Sequence, residues 1–202
     1  PDLANMAFVE SMFIWDVQSK VGAAGMWQFM PKTAMTYGLR VDKYVDERLE
    51  PFLAARAATR LLKHNYEVLG TWPLAINAYN SGRGSLLKAV ETVGSKSIAE
   101  IILNYRGGIY GFASRNFYPS FLAILRIQEN PEKYFGPLAQ EEAEYPNYLE
   151  LKKDQSLQEI SKELHIPLKQ LKELNRHYKA NVLEKGLPIP AGYRIRIPIK
   201  SS

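Results

Sequence analysis

The sequence predicts a mainly α-helical chain that ends in a small α+β module, on three observations. Apolar residues over 1–135 recur at helical spacing, and few segments there alternate with period two. The composition then shifts after Tyr134-Phe-Gly-Pro137 into a stretch whose signals run strand, helix, helix, strand. The chain has 202 residues, of which 46% are apolar and 23% charged. Those values suit one medium domain plus a small module and exclude disordered and fibrous classes. The expected division is 1–139 and 140–202.

The elements follow in order. Leu3, Met6, Ala7, Glu10 and Ile14 fall on one face of a first helix. Gly22–Met30 reads as a tight turn entering a helix at Pro31. Pro51 stands where a helix starts, and strong helix formers carry it to about Gly70. Pro73 opens another helix through Tyr79, interrupted by Gly82 and Gly84. Further helices are expected at 85–93, 96–105 and 116–129, with a short last one after Asn130-Pro131. Gln140–Glu144 is a polar connector, and a strand follows near Tyr145–Leu151. Ser156-Leu-Gln-Glu159 is a capping-box pattern that opens a helix to about Leu164. Ile166-Pro167 breaks the chain, a second helix runs to about Asn175, and Tyr193–Pro198 alternates like a closing strand.

Several classes of function are excluded early. No apolar run approaches the ~20 residues of a membrane-spanning helix. Cysteine is absent, so there is no disulfide, thiolate nucleophile or Cys-ligated zinc. His64, His165 and His177 lack metal-ligand spacing, and no metal or organic cofactor is expected. Pro1 does not open a signal peptide, so the sequence reads as a piece trimmed from a longer chain. Residues 1–145 carry 15 basic and 15 acidic side chains, whereas 146–202 carry 11 and 6. The whole excess of positive charge therefore lies in the module, which points either to an anionic partner or to a solvated, lysine-rich surface. Glu159, Glu163 and Glu173 interleave with the basic residues and no nucleic-acid motif occurs, so nucleic acid is not expected as a partner.

Three groups of residues could carry chemistry. Glu10 shares the helical stripe of Leu3, Met6 and Ala7, where a free carboxylate is costly to bury. If buried, its pKa would rise into the range useful to a general acid; otherwise it is a part-exposed glutamate near a helix end. Gln28 lies among large apolar groups in Gly25-Met-Trp-Gln28-Phe-Met-Pro31, and a buried glutamine needs a partner in the protein or a polar ligand. Asn77, Tyr79 and Asn80 place amides and a phenol at an apolar helix end, as sugar sites do and as helix C-caps also do.

Together these motifs resemble one family. Glu10-Ser11, then Ser19, then Gly25–Pro31, then Ala78-Tyr79-Asn80-Ser-Gly82, then Gly111–Leu122 with Tyr118, is similar to the lytic transglycosylases with a goose-lysozyme-like catalytic domain. The resemblance covers roughly 1–135. It implies a lysozyme-like all-α catalytic domain acting on peptidoglycan glycan strands. The last segment resembles a LysM peptidoglycan-binding module through Asp154-Gln-Ser-Leu157, Ile160-Ser, Leu164, Ile166-Pro, Leu171, Leu174-Asn175 and Gly192–Pro198. Its Arg176–Pro190 stretch is longer than that family's second connection, so a glycan-binding role and a packing role both stay open.

The family likeness also implies a mechanism and a setting. Glu10 would protonate the leaving oxygen between N-acetylmuramic acid and N-acetylglucosamine, and the substrate's acetamido group would hold the cationic C1. Ionised Glu10 would then take the proton of the C6 hydroxyl, giving a 1,6-anhydro end without water. Ser19, Gln28, Tyr79, Asn80 and Tyr118 would bind substrate. A hydrolytic muramidase on the same fold, with Asp16 positioning water, and a non-catalytic peptidoglycan-binding protein are the alternatives. A monomer in the periplasm or cell envelope of a Gram-negative bacterium is expected, and a lipid anchor ahead of Pro1 is compatible with it.

Overall fold

The computed structural model describes residues 2–108, 110–139 and 145–199, so the expected connector Gln140–Glu144 lies outside the described residues. In chain order the helices are α1 (Met6–Ser11), α2 (Pro31–Thr36), α3 (Pro51–Leu69), α4 (Trp72–Ser81), α5 (Arg83–Val93), α6 (Ile98–Asn104), α7 (Phe112–Gln128), α8 (Glu132–Phe135), α9 (Leu157–Leu164), α10 (Leu168–Leu174) and α11 (Ala180–Leu183). Strands β1 (Asn147–Glu150) and β2 (Arg194–Ile197) form an antiparallel pair, from Asn147 opposite Ile197 to Glu150 opposite Arg194. The chain is therefore mainly α with a small α+β part near its end. Two compact units emerge: Pro1–Phe13 with Arg56–Ala139, and Ile14–Ala55 with Gln140–Ser202. The expected division follows chain order, whereas residues 14–55 pack with the C-terminal segment.

The first unit is helical. Its core gathers Leu69, Leu74, Leu86, Ile101 and Tyr110, with α4 packed on α5 and α7, and α1 on α7. Buried Asn65 ties three helices, because its amide donates to Ala75 O (3.0 Å) and its carbonyl accepts from Arg83 (2.9 Å). Gly82 separates α4 from α5 at φ +78, a conformation that a side chain resists. Gly84, expected as a second interruption, lies inside α5, since its helical backbone asks nothing special of it. Met6 and Ala7 are fully buried as expected, but Ile14 is 49% exposed. The stripe ends early because Met12 and Phe13 take left-handed φ of 52° and 62° and turn the chain away.

In the second unit the C-terminal segment supplies most of the core. Leu151, Leu157, Ile160, Leu171, Val182, Ile189 and Ile195 are buried together, and Val45 is buried among them. The capping box at Ser156 and Glu159 is formed in both directions, and α9 ends at left-handed His165. Helix α11 is an addition to the expected order, built inside the long connection. Backbone bonds stitch residues 42–46 to this core, with Asp46 N donating to His177 O and Lys179 N to Tyr44 O, both at 2.9 Å. The Tyr193 hydroxyl donates to Asp42 (2.6 Å), and the Arg40 guanidinium lies 4.2 Å from the Tyr193 ring centroid while donating to Gly192 O.

Burying one aliphatic side chain contributes ~1.5–3 kcal/mol. Val45→Ala leaves a gap in a core made mostly of residues far along the chain, so it is expected to cost about 1–3 kcal/mol, read from urea unfolding. A change under ~0.5 kcal/mol, the range of surface substitutions, would show that Val45 does not belong to that core.

Candidate active site

The first unit holds one cluster of site residues. Helix α1 buries Met6 and Ala7, and Glu10 follows on the same face, half-buried. Burial pushes its carboxyl up to about 8, so the acid is largely protonated at neutral pH. The helix ends one residue past Glu10: Met12 N donates to Phe8 O (3.0 Å) and Phe13 N to Ala7 O (3.3 Å), and the Phe8 and Phe13 rings meet edge-on at 4.4 Å. Two consecutive left-handed non-glycine residues are costly, and such strain concentrates beside functional groups.

Helices α4 and α7 supply the rest of this cluster. The Tyr79 phenol is pushed well above its ordinary range by burial, and further by the charge of Glu10, so the two groups lie within electrostatic reach. Its ring runs parallel to Phe117 at 6.5 Å. Asn80 is exposed, and its carbonyl accepts from the Ser114 hydroxyl (3.0 Å). One turn earlier, buried Asn77 donates to Ser114 O (2.8 Å). The two amides thus fasten the end of α4 to the start of α7. Tyr118 lies one turn beyond Ser114, half-buried against the unit's core, with its phenol pushed up by burial.

Ser19 and Gln28 belong to the second unit, in the loop ahead of α2. The Ser19 hydroxyl accepts from Ala23 N (2.9 Å), and Ser19 N donates to Ala23 O (2.8 Å). Gln28 sits at a left-handed φ of 45° and donates its amide to Gly25 O (2.8 Å) and Val17 O (3.3 Å). Its amide nitrogen is thereby committed to the loop, and its carbonyl oxygen is the end left to accept from something else. Gly25, at φ +80, is required twice over, because a Cβ there would run into the Arg48 carbonyl. Asp16, the alternative second acid, is exposed.

Sequence reasoning missed what holds this loop. Buried Arg48 donates to both Asp46 oxygens (2.8 and 2.7 Å) and uses its remaining Nη1 for Gly22 O (2.7 Å) and Phe29 O (3.0 Å). Glu50, 1% exposed, caps α3 by accepting from Leu53 N (2.7 Å). The signal was present as Asp46-Glu-Arg48-Leu-Glu50, charged residues dense enough to need mutual pairing if buried. No group of His, Asp and Glu among the described residues could hold a metal ion.

Known proteins resemble the chain in both of its sequence segments. The transglycosylase SLT domain family matches residues 2–102, and the LysM-like domain of lytic transglycosylase MltD matches 146–202. Membrane-bound lytic murein transglycosylase D of Escherichia coli K12 is 30% identical over 141 residues, 66% of this chain and 29% of that protein. Peptidoglycan transglycosylase gp16 of Escherichia phage T7 is 39% identical over 109 residues, 51% of this chain and 8% of that protein. The chain thus spans less than a third of the length of these relatives. Among solved structures, the 70 kDa soluble lytic transglycosylase of Escherichia coli aligns with a TM-score of 0.49 at 21% identity, over 61% of this chain and 20% of that one.

Breaking a buried, hydrogen-bonded ion pair by removing one partner costs about 3–5 kcal/mol, because the other charge is stranded. Arg48→Met is therefore expected to destabilise by that order in chemical unfolding. Arg48→Lys should recover little, since one ammonium cannot span Asp46 and two carbonyls. Full stability with lysine would mean that the forked geometry is dispensable.

Proposed function

We propose, for a chain that belongs to the transglycosylase SLT domain family, that it cleaves the glycan of peptidoglycan between N-acetylmuramic acid and N-acetylglucosamine without consuming water. The observation that carries this reading is one carboxyl, Glu10, kept protonated by burial beside an un-ionised phenol, with burial and no neighbouring acid named as the cause of its shift among the described residues. Most glycosidases divide the work between two carboxylates. A single one can serve both halves if the substrate provides its own nucleophiles.

Glu10 gives its proton to the leaving oxygen as the C1–O bond breaks, and the 2-acetamido oxygen closes on C1. The carboxylate so formed takes the proton of the C6 hydroxyl, O6 attacks C1, and the acetamido bond to C1 opens. Atoms balance with no water, and Glu10 ends protonated, as it began. Gln28 and Ser19 are assigned to hydroxyl or N-acetyl groups of the sugar, Tyr79 and Tyr118 to the walls near the acid, and Asn80 to holding α4 in place through Ser114. No metal or cofactor has a role.

The 1–139 segment is assigned catalysis and the 140–202 segment support, with glycan contact a further use of its surface. A Gram-negative cell envelope is assigned as its setting, as the membrane-bound relative supports, and a monomer is the assigned state. No helix among the described residues is long and apolar enough to cross a membrane.

Two tests follow. Muropeptides released from purified sacculi should carry 1,6-anhydro ends by mass spectrometry; reducing ends throughout would replace this reading with a hydrolytic one. Glu10→Gln removes both acid and base, and activity should fall at least ~10²-fold. Because the acid must be protonated, kcat/KM should decline as pH rises through about 8. A rate that is flat across that range would place the proton donor elsewhere.

A further inference from the structure

Asn77 stands where an asparagine is least expected. It lies in the middle of α4, among the buried Leu74, Ala75, Ile76 and Ala78, and is itself 0% exposed. Asparagine weakens a helix interior, and its amide is costly to bury. An apolar side chain would suit that surrounding better, so the amide is there for what it holds. Its nitrogen donates to Ser114 O (2.8 Å), 37 residues along the chain. The Tyr110 phenol, 2% exposed, lies against the same amide.

The first turns of α7 need such a tie. Pro119 lies inside α7 and has no N–H for Arg115 O, four residues back, so the helix's own ladder is interrupted there. Ser114 is the residue next to that gap, and its hydroxyl donates to Asn80 (3.0 Å). Bonds from Asn77 and Asn80, the two α4 residues that flank Tyr79, thus meet at one serine. Helix α1, which carries Glu10, packs on the same α7. The tie between α4 and α7 therefore governs how Tyr79 sits against Glu10.

We propose that Asn77 is a positioning residue for the acid: its bond to Ser114 holds Tyr79 against Glu10 and so keeps water from the Glu10 carboxyl. Fully buried, it acts through Tyr79 and does not touch substrate. What the shielded carboxyl does rests on the proposed glycan cleavage; that Asn77 shields it does not. The tie itself does not titrate near neutral pH. Its members are two amides, a hydroxyl and the Tyr110 phenol, which burial pushes up while the Arg115 charge and the Asn77 amide draw it part of the way back. Tyr79 on α4 and Tyr118 on α7 are held above their ordinary range by burial and stay un-ionised there too. The titration of Glu10 therefore reports how well it is covered.

The test follows the Glu10 carboxyl carbon of the full chain by NMR as pH is varied, its signal identified by its loss in Glu10→Gln. Kinetics on soluble peptidoglycan fragments run beside it. Asn77→Leu removes the amide at similar bulk. The midpoint, about 8 in the parent, should fall toward 4.5 by about one unit, a tenfold change in proton affinity. The kcat should drop about tenfold or more with KM nearly unchanged, because misplacement and not binding is at fault. Ile101→Val, a core substitution in the same unit, should lower the melting temperature and move neither quantity. If Asn77→Leu does not fold, Ser114→Ala, which removes only the bond to Asn80, should move both in the same direction by less. An unmoved midpoint and kcat in folded Asn77→Leu, or in Ser114→Ala where that variant stands in, would overturn the positioning role. So would equal shifts in Ile101→Val, since any loosening of the core would then suffice. A lowered midpoint in a protein that releases no anhydro sugar would remove the glycan reading and leave the positioning role in place.

Discussion

The second unit hangs on one buried ion pair. Arg48 has five N–H donors in a fixed fork, and four of its bonds are placed: two on Asp46, one on Gly22 O and one on Phe29 O. Asp46 faces the other way as well, because its backbone N–H is taken by His177. A short stretch thus carries two connections, one to the loop that presents Gln28 and one to the C-terminal segment. Such a pair contributes little net stability against an apolar alternative. What it supplies is direction, since a methionine in the same space could not hold two carbonyls at fixed angles. Gly25 completes the arrangement by letting its backbone pass against the Arg48 carbonyl.

The same trade is visible at Glu10. A carboxyl whose pKa rises from 4.5 to about 8 on folding binds its proton more tightly folded than unfolded. Between those values the folded state holds more protons, so stability falls as pH rises across that window and is lowest above it. The fold therefore works against itself at Glu10, as expected where a group is kept for chemistry and not for packing. The left-handed pair Met12–Phe13 adds a second cost within the next three residues. Both are tolerated because Met6 and Ala7, on the preceding turn, are fully buried.

How far the sequence can be read follows from which interactions are local. The capping box at Ser156, the proline starts of α2 and α3 and the glycine break at Gly82 are decided within a few residues, and they stand where the pattern puts them. The stripe from Leu3 to Ile14 fails at its last member, because periodicity continues past Ser11 while the backbone does not. Glu10 and Tyr79 could be singled out as polar groups on apolar faces. Arg48 and Glu50 left only a dense charged run as a signal, and His177 left none, because each owes its burial to residues distant in sequence. Val45 is the clearest case: a lone valine between Tyr44 and Asp46 carries no period, yet it is 1% exposed in a core built from residues 151–195.

The charge imbalance of the C-terminal segment takes on a different meaning with its side chains placed. Lys153, Lys162, Lys169, Lys179 and Lys185 are exposed, able to meet a polyanion at low salt and screened over ~10 Å at 0.1 M, while exposed Lys152 sits 3.4 Å from Glu150. Arg196 is partly withdrawn: it lies 5.3 Å from the Phe52 ring and 4.0 Å from Glu50. Arg40, from the other segment, is spent on Tyr193 and Gly192 in the same way. The excess charge is thus a lysine surface over an arginine-bonded junction. The junction explains why residues 14–55 and the C-terminal segment form one unit, and the exposed lysines with Arg176 are left to account for any attraction to an anionic wall. A chain that gripped its substrate through charge alone would have needed the arginines outside, where their forked donors recognise carboxylates best. Here Arg40 and Arg48 spend those donors on the fold, and Arg196 turns inward to Glu50 and Phe52.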